Sequence, residues 1–366
     1  MNTPAYIFDV SKFTARIEQF FDLRQKTRFK LLYSIKALPI PSVLELMRPH
    51  VDGFSVSSLF EAKLAREVLG EEGSIHITSP GLRTDEIAEI REVCDYLSLN
   101  SLSQRARFFD PMLSKTSFGV RINPQLSFLD DDRYDPCRRF SKLGVPLEEI
   151  ETLDGMSGLH FHTMFASGNV LPLKLTLEKI ESRLGDQLKQ LDWINIGGGY
   201  VFCDQSVFAE FEEIIRRLSD RYDLTVFFEP GRGIIGEAGE LVTEVIDRFE
   251  SEGKTIVVLD TTVIHHPEIF EYQKPPVIRE AVDGEGWSCL LVGCSCKSGD
   301  LFGEYQFEQP LMVGSRISLT DVGAYSLVKA SRFNGINLPS VYLRDANGRL
   351  ELIKQYGYED YTAHWD

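Results

Sequence analysis

The chain has 366 residues, 43% hydrophobic and 26% charged, which suits a globular protein large enough for a barrel-sized core and a second domain. Its 55 acidic against 39 basic side chains leave a net charge of -16, a field that opposes nucleic-acid and anionic-membrane partners. No apolar run reaches membrane-spanning length, Met1-Asn2-Thr3-Pro4 lacks the features of a secretory signal, and the six sparse cysteines read as reduced, so the sequence predicts a cytoplasmic protein without a disulfide framework or a structural zinc.

A strand is predicted at Pro4-Ala5-Tyr6-Ile7-Phe8, followed by a helix over residues 11–26 that carries Phe13, Ile17, Phe20 and Phe21 on one side. Strand-like runs then recur near 29–36, 54–57, 74–78, 95–99, 117–123, 157–161, 192–196 and 224–229. Helix-like stretches near 58–69, 84–93 and 207–219 lie among them. Eight strand-helix repeats in one stretch fit an α/β fold, a (β/α)8 barrel over residues 11–238, better than an open doubly wound sheet. Beyond Gly239 the pattern turns to alternating β-branched runs without long helices, which predicts a C-terminal β domain over 239–366 joined by the N-terminal strand within 1–10. The segment 262–276, with His265, His266 and three prolines, reads as a loop. Its paired histidines lack a third ligand at metal-binding spacing, so no metal is expected.

A barrel gathers the C-terminal ends of its strands on one face, where such folds build their sites. Here those ends carry Lys36, Ser57, Ser79, Asn100, Arg121, His162, Gly197 to Gly199 and Glu229. Lys36 closes the apolar run Leu31-Leu32-Tyr33-Ser34-Ile35, and Pro39 and Pro41 stop the strand just beyond it. A lysine held there is either a solvated rim residue or a desolvated amine whose lowered pKa lets it condense with an aldehyde. Gly197-Gly198-Gly199 can present several N–H groups to a phosphate, where a simple turn needs fewer glycines. Glu229 in Phe228-Glu229-Pro230-Gly231-Arg232 can keep a pyridine nitrogen protonated, and Arg232 can pair with phosphate; the two can also simply pair with each other. His160 and His162 share one face of their strand, and spacing does not say which of them meets a ligand. In the second domain, the loop Gly293-Cys294-Ser295-Cys296-Lys297-Ser298-Gly299-Asp300 offers a thiol as proton donor and Asp300 as a partner for an ammonium group, while Tyr325 sits beside a further turn.

Taken together, Tyr134-Asp135-Pro136-Cys137, Ser141-Lys142-Leu143-Gly144, the His-Phe-His strand, the triple glycine, Glu-Pro-Gly, Ser-Gly-Asp with Gly303-Glu304-Tyr305, and Phe333-Asn334-Gly335-Ile336 resemble the fold type III pyridoxal-phosphate decarboxylases of the ornithine and diaminopimelate type. The likeness runs over nearly the whole chain and is greatest to the carboxynorspermidine branch. The resemblance implies pyridoxal 5'-phosphate as cofactor, Lys36 as the Schiff-base lysine and His162 stacked on the ring. It further implies Arg121 near the cofactor, Gly197 to Gly199 and Arg232 at the phosphate, and Glu229 at the pyridine nitrogen. It also implies a homodimer in which Cys296 and Asp300 enter the site from a partner subunit and Tyr325 closes the cofactor's other side. The reaction expected is α-decarboxylation of carboxynorspermidine or carboxyspermidine in polyamine synthesis, or of a related diamino acid or carboxyaminopropyl group in natural-product or siderophore assembly. Lys297 stands where amino-acid decarboxylases of this type often carry an acid, which counts against ornithine. An amino-acid racemase shares the architecture but usually sets an arginine at the pyridine nitrogen, so Glu229 argues against it. A non-catalytic cofactor-binding protein would not need Cys296.

Overall fold

The computed structural model describes residues 1–365 other than 111, 113, 114 and 203, so Cys203 lies outside the described residues. The other five cysteines are free thiols. The chain divides into two units, Thr14–Ile234 and Met1–Phe13 with Ile235–Asp366.

Strand β1, Ala5–Asp9, belongs to the second unit. The first unit is built on β2 (Phe29–Ser34), β3 (Gly53–Val56), β4 (Ser74–Thr78), β5 (Tyr96–Leu99), β6 (Ser117–Asn123), a two-residue β7 (Val145–Pro146), β8 (Gly158–His160), β9 (Trp193–Asn195) and β10 (Thr225–Phe228). Eight of these run in the order β5-β4-β3-β2-β10-β9-β8-β6, all parallel, and pairing of β5 with β6 closes the barrel; β7 extends from β6. The strands are short because a closed barrel is buried inside and out, and a few apolar residues per strand fill its layers. Toward the strand starts, Trp193, Phe227 and Tyr96 pack with Leu32, and Trp193 donates Nε1–H to Ser117 Oγ at 2.8 Å. The predicted helix over 11–26 is two pieces, Val10–Glu18 and Phe21–Lys26, with Phe20 turned onto Phe29, Phe208 and Phe228 between them.

The second unit holds β11 (Gly239–Ser251), β12 (Lys254–Leu259), β13 (Trp287–Val292), β14 (Leu301–Phe307), β15 (Arg316–Leu319), β16 (Ser340–Arg344) and β17 (Leu350–Lys354). Its sheet runs β14-β13-β12-β11-β1-β16-β17, with β15 on β11. The first strand of the chain thus lies inside this sheet, antiparallel to β11 and parallel to β16. Within the predicted loop 262–276 the chain forms the short helix Glu268–Tyr272, and the histidines before it serve structure: His265 Nδ1 meets Thr261 Oγ1 at 2.9 Å and His266 Nδ1 meets Ser326 Oγ at 2.8 Å.

Candidate active site

Strand β2 ends at Ser34, and Lys36 sits in the tight turn Ile35–Ala37 that follows. The turn is held from the neighbouring mouth, because Ser34 N–H donates to the Pro230 carbonyl at 3.2 Å. From here Lys36 enters a cavity of about 470 Å³ lined by residues of the barrel unit alone, among them Arg121, Tyr134, His160, His162 and Glu229. Lys36 has open surface toward this space, yet protein surrounds it, and that desolvation lowers its pKa; Arg121 acts in the same direction, while Glu229 and Glu61 oppose it.

Register places Arg121 of β6 beside His160 of β8, and His160 beside Asn195 of β9, so three polar side chains lie at one level of the barrel. Asn195 Nδ2 donates to Glu229 Oε1 at 2.6 Å, fixing the carboxyl. Burial pushes the Glu229 pKa up, against the hydrogen bonds from Asn195 and Ser55 and the charges of Lys36 and Arg121. Arg121 is buried and drawn down to about 10, with Glu229 partly offsetting its desolvation. His162 is lowered to about 3, first by burial and then by Lys36 and Arg121, so the ring is neutral. Its Nδ1 accepts the Gly198 N–H at 3.0 Å, which leaves the proton on Nε2. His160, also lowered well below its usual value by burial, lies 4.0 Å from Glu229 Oε2. Both histidines therefore reach the cavity.

The triple glycine has no room for side chains. A Cβ on Gly197, Gly198 or Gly199 would lie 2.5, 2.3 and 2.0 Å from the carbonyl oxygens of Phe161, Glu229 and Met164, and Gly197 and Gly199 have φ of +67° and +88°. This is backbone packed for close approach. Arg232 follows Glu229 in chain, with its guanidinium 5.9 Å from the Phe165 ring, which stacks on Tyr134 of the cavity wall. The glycine cradle, together with the buried Arg121 Nε and both His160 ring nitrogens that lack hydrogen-bond partners among the described residues, fits a phosphorylated aromatic aldehyde of the pyridoxal type.

Two contributors escaped the sequence reading. Glu61 accepts the Ser57 N–H at 2.6 Å while its own N–H donates to Ser58 Oγ at 3.2 Å, and it bears electrostatically on Lys36. The signal was present as Ser58-Leu59-Phe60-Glu61, the sequence pattern of a helix capping box, although the Glu61 carboxylate reaches the N–H of Ser57 and not that of the N-cap Ser58. Asn195 was visible only as part of an apolar strand.

Cys296, Asp300 and Tyr325 belong to the other unit. Cys296 is exposed, and its backbone N–H donates to Asn334 Oδ1 at 2.9 Å. Tyr325 holds a left-handed φ of +69°, a strained conformation for an aromatic residue. Asp300, expected to meet an ammonium, is 3% exposed and already accepts from Thr262 Oγ1 at 3.0 Å, Val263 N at 2.8 Å, Ser295 N at 2.9 Å and Ser295 Oγ. Each of its oxygens thus accepts two hydrogen bonds, which anchor the loop 293–300 within this chain.

A barrel that gathers a desolvated mouth lysine, a tight glycine turn and a buried carboxyl on one face has the parts of a lysine-dependent carbonyl enzyme. The family described as pyridoxal-dependent decarboxylase, C-terminal sheet domain, matches residues 5–323, and the chain belongs to that family; it is a pyridoxal-dependent carboxy-lyase. It is 32% identical to the carboxynorspermidine/carboxyspermidine decarboxylase of Herminiimonas arsenicoxydans, over 99% of each chain. It is 31% identical to the carboxyaminopropylagmatine decarboxylase of Synechocystis sp., over 98% of this chain and 94% of that one. The crystal structure of the Campylobacter jejuni carboxynorspermidine decarboxylase complexed with norspermidine matches at a TM-score of 0.91 and 30% identity over the whole of both chains.

Proposed function

We propose that this protein removes the α-carboxylate of an amine carrying a carboxyaminopropyl group, with carboxynorspermidine or carboxyspermidine as first substrate, using pyridoxal 5'-phosphate bound through Lys36. The observation that carries this reading is the convergence of Lys36, Arg121, His162 and Glu229 on one cavity beside the glycine cradle. The relatives act on amines of this type by name, which supports the choice of substrate.

When bound, the cofactor supplies an aldehyde for amine exchange and a protonated ring that takes up the electron pair left by departing CO2. The chain's own residues prepare for this. Desolvation raises the neutral fraction of Lys36, the form that exchanges with a substrate amine. Glu229, fixed by Asn195, provides the carboxyl that keeps a ring nitrogen protonated, and a cationic partner there restores the carboxylate that burial alone disfavours. The neutral His162 ring offers an aromatic face without adding positive charge beside Lys36 and Arg121. Arg232 and the Gly199 end of the glycine turn hold the phosphate, since the N–H groups of Gly197 and Gly198 already donate to Asn195 Oδ1 and His162 Nδ1. Cys296, exposed on its anchored loop, returns a proton to Cα from a partner subunit of a homodimer, and Tyr325 closes the far side of the cofactor.

The purified protein should be yellow and should lose that colour on Lys36→Ala; a colourless wild type that cannot be reconstituted ends the cofactor reading. CO2 release from a panel of α-carboxylated polyamines and diamino acids identifies the substrate, and Cα deuterium exchange without CO2 would assign racemisation instead. Mixing Lys36→Ala with Cys296→Ala should restore part of the activity; no recovery despite demonstrated subunit exchange removes the shared site.

A further inference from the structure

Strand β8 ends on a buried imidazole. His160 is 1% exposed and lines the cavity, and neither of its ring nitrogens has a hydrogen-bond partner among the described residues. Buried polar atoms are rarely left so, and a ring kept only for packing would serve as well without nitrogens. Burial, and after it the charges of Arg121, His162, Lys36 and His76, keep this ring neutral, so one nitrogen carries a proton and the other a lone pair.

The groups that bear on the ring narrow its choice of partner. Arg121 has donors only. His162 Nδ1 already accepts the Gly198 N–H at 3.0 Å, and His76 Nε2 meets Ser74 Oγ at 3.0 Å. Glu229 offers the acceptor: its Oε2 lies 4.0 Å from His160 Nε2, while Asn195 Nδ2 holds Oε1 at 2.6 Å. Register fixes this arrangement, because Arg121, His160 and Asn195 are neighbours across β6, β8 and β9, and Glu229 stands just past the end of β10. At 4.0 Å no hydrogen bond is formed. That spacing suits two neutral groups, the state that burial favours for each. A charge on the carboxyl alters the balance, because a buried carboxylate needs donors and a hydrogen bond to an ionised group is the stronger kind. Lys36 and Arg121 then favour it by charge, and Ser55 and Asn195 by hydrogen bonds.

We infer that His160 is a positioning residue for Glu229: when that carboxyl is ionised, His160 donates its Nε2–H to Oε2 and holds the second oxygen as Asn195 holds the first. The geometry belongs to the chain itself; the consequence for catalysis rests on the proposed role of Glu229 at the pyridine nitrogen. A carboxylate gripped at both oxygens keeps its direction and its charge, and a ring proton is retained only beside such a partner.

The test follows the Glu229 carboxyl by infrared spectroscopy in the full-length chain freed of cofactor, with its band assigned as the one missing from Glu229→Gln. Taking a donor from the charged form raises a carboxyl pKa. In His160→Leu the protonated band should therefore persist to a pH about one unit higher, about tenfold in proton affinity and the scale of one hydrogen bond to a charged group. His160→Gln, whose amide N–H reaches from the place of Nε2, should restore most of that shift. In the holoenzyme, His160→Leu should lower kcat by about tenfold with KM little changed, and should lower it no further when combined with Glu229→Gln. A carboxyl that ionises no later in His160→Leu than in the wild type, or equally late in His160→Gln and His160→Leu, overturns the inference. So does a kcat loss that simply multiplies with that of Glu229→Gln. An effect seen only with cofactor bound also overturns it, by assigning the ring to the cofactor. Native circular dichroism and retained colour show that the variants are folded and loaded. Because the infrared titration involves neither cofactor nor turnover, its failure falls on His160 and leaves the proposed decarboxylation standing.

Discussion

At Glu229 the chain keeps a carboxyl in a place that burial makes unfavourable for charge, and Asn195 and Ser55 hold it there. Glu229→Gln preserves the acceptor for Asn195 but can no longer accept a pyridinium N–H with a full negative charge. Such preorganised electrostatic contacts are worth about 10²–10³ in rate, so kcat should fall by at least about 10² while the yellow colour persists. A variant with unchanged kcat would take the pyridinium role away from this residue. Gly198→Ala makes a different point, since the added methyl would sit 2.3 Å from a backbone carbonyl that cannot move aside cheaply. Overpacking of this kind costs about 1–3 kcal/mol, which predicts cofactor affinity weakened by about tenfold or more in a fluorescence titration. An alanine variant that binds the cofactor as tightly as wild type would show that the cradle does not hold phosphate.

Among the elements, the loop from Gly293 to Asp300 shows what anchoring does. Asp300→Asn turns one acceptor oxygen into a donor facing other donors, leaving buried groups unsatisfied at about 1–3 kcal/mol. The unfolding temperature should fall, and Cys296 should react faster with thiol reagents as its loop loosens. If Asp300 instead met a substrate ammonium, the same change would raise KM and leave stability intact. The sequence alone does not separate the two roles, because a carboxylate beside a cysteine looks the same whether it faces a ligand or its own backbone. Elements were legible where burial imposes a pattern: the eight barrel strands are near-continuous apolar runs, and their mouths carry the polar residues. Strand β14 was not, because Gly303 interrupts Leu301–Phe307, nor was β17, whose residues Leu350–Lys354 are half-buried or exposed. Asp135-Pro136-Cys137 and Ser141-Lys142-Leu143-Gly144 were legible as family motifs, but the hydrogen bond from Asn100 to the Lys142 carbonyl, more than forty residues away in sequence, was not.

For the whole molecule, burial of histidine sets the response to acid. Four of the seven histidines are held below the ordinary value of 6.5: His76 and His160 well below it, His162 at about 3 and His265 at about 4, each chiefly by desolvation. Below pH 6.5 the unfolded chain therefore binds protons that the native protein refuses, so stability rises with pH in this window and is lost as pH falls from about 6.5 toward the folded values. Each such imidazole contributes up to about 1.4 kcal/mol per pH unit. Glu61 and Glu229, whose pKa values are raised, act in the opposite sense above 4.5, but two carboxyls do not cancel four imidazoles. Urea midpoints of the holoenzyme should accordingly fall between pH 7 and pH 5. His76 offers the cleanest check, because its ring stacks on Tyr96 with centroids 4.0 Å apart and planes 9° from parallel, a contact that His76→Phe retains while removing the proton site. That variant should show a pH slope shallower by about one proton. Midpoints that stay level from pH 7 to pH 5 would mean that these rings take up protons inside the fold, and the neutral ring assigned to His162 would fail with them.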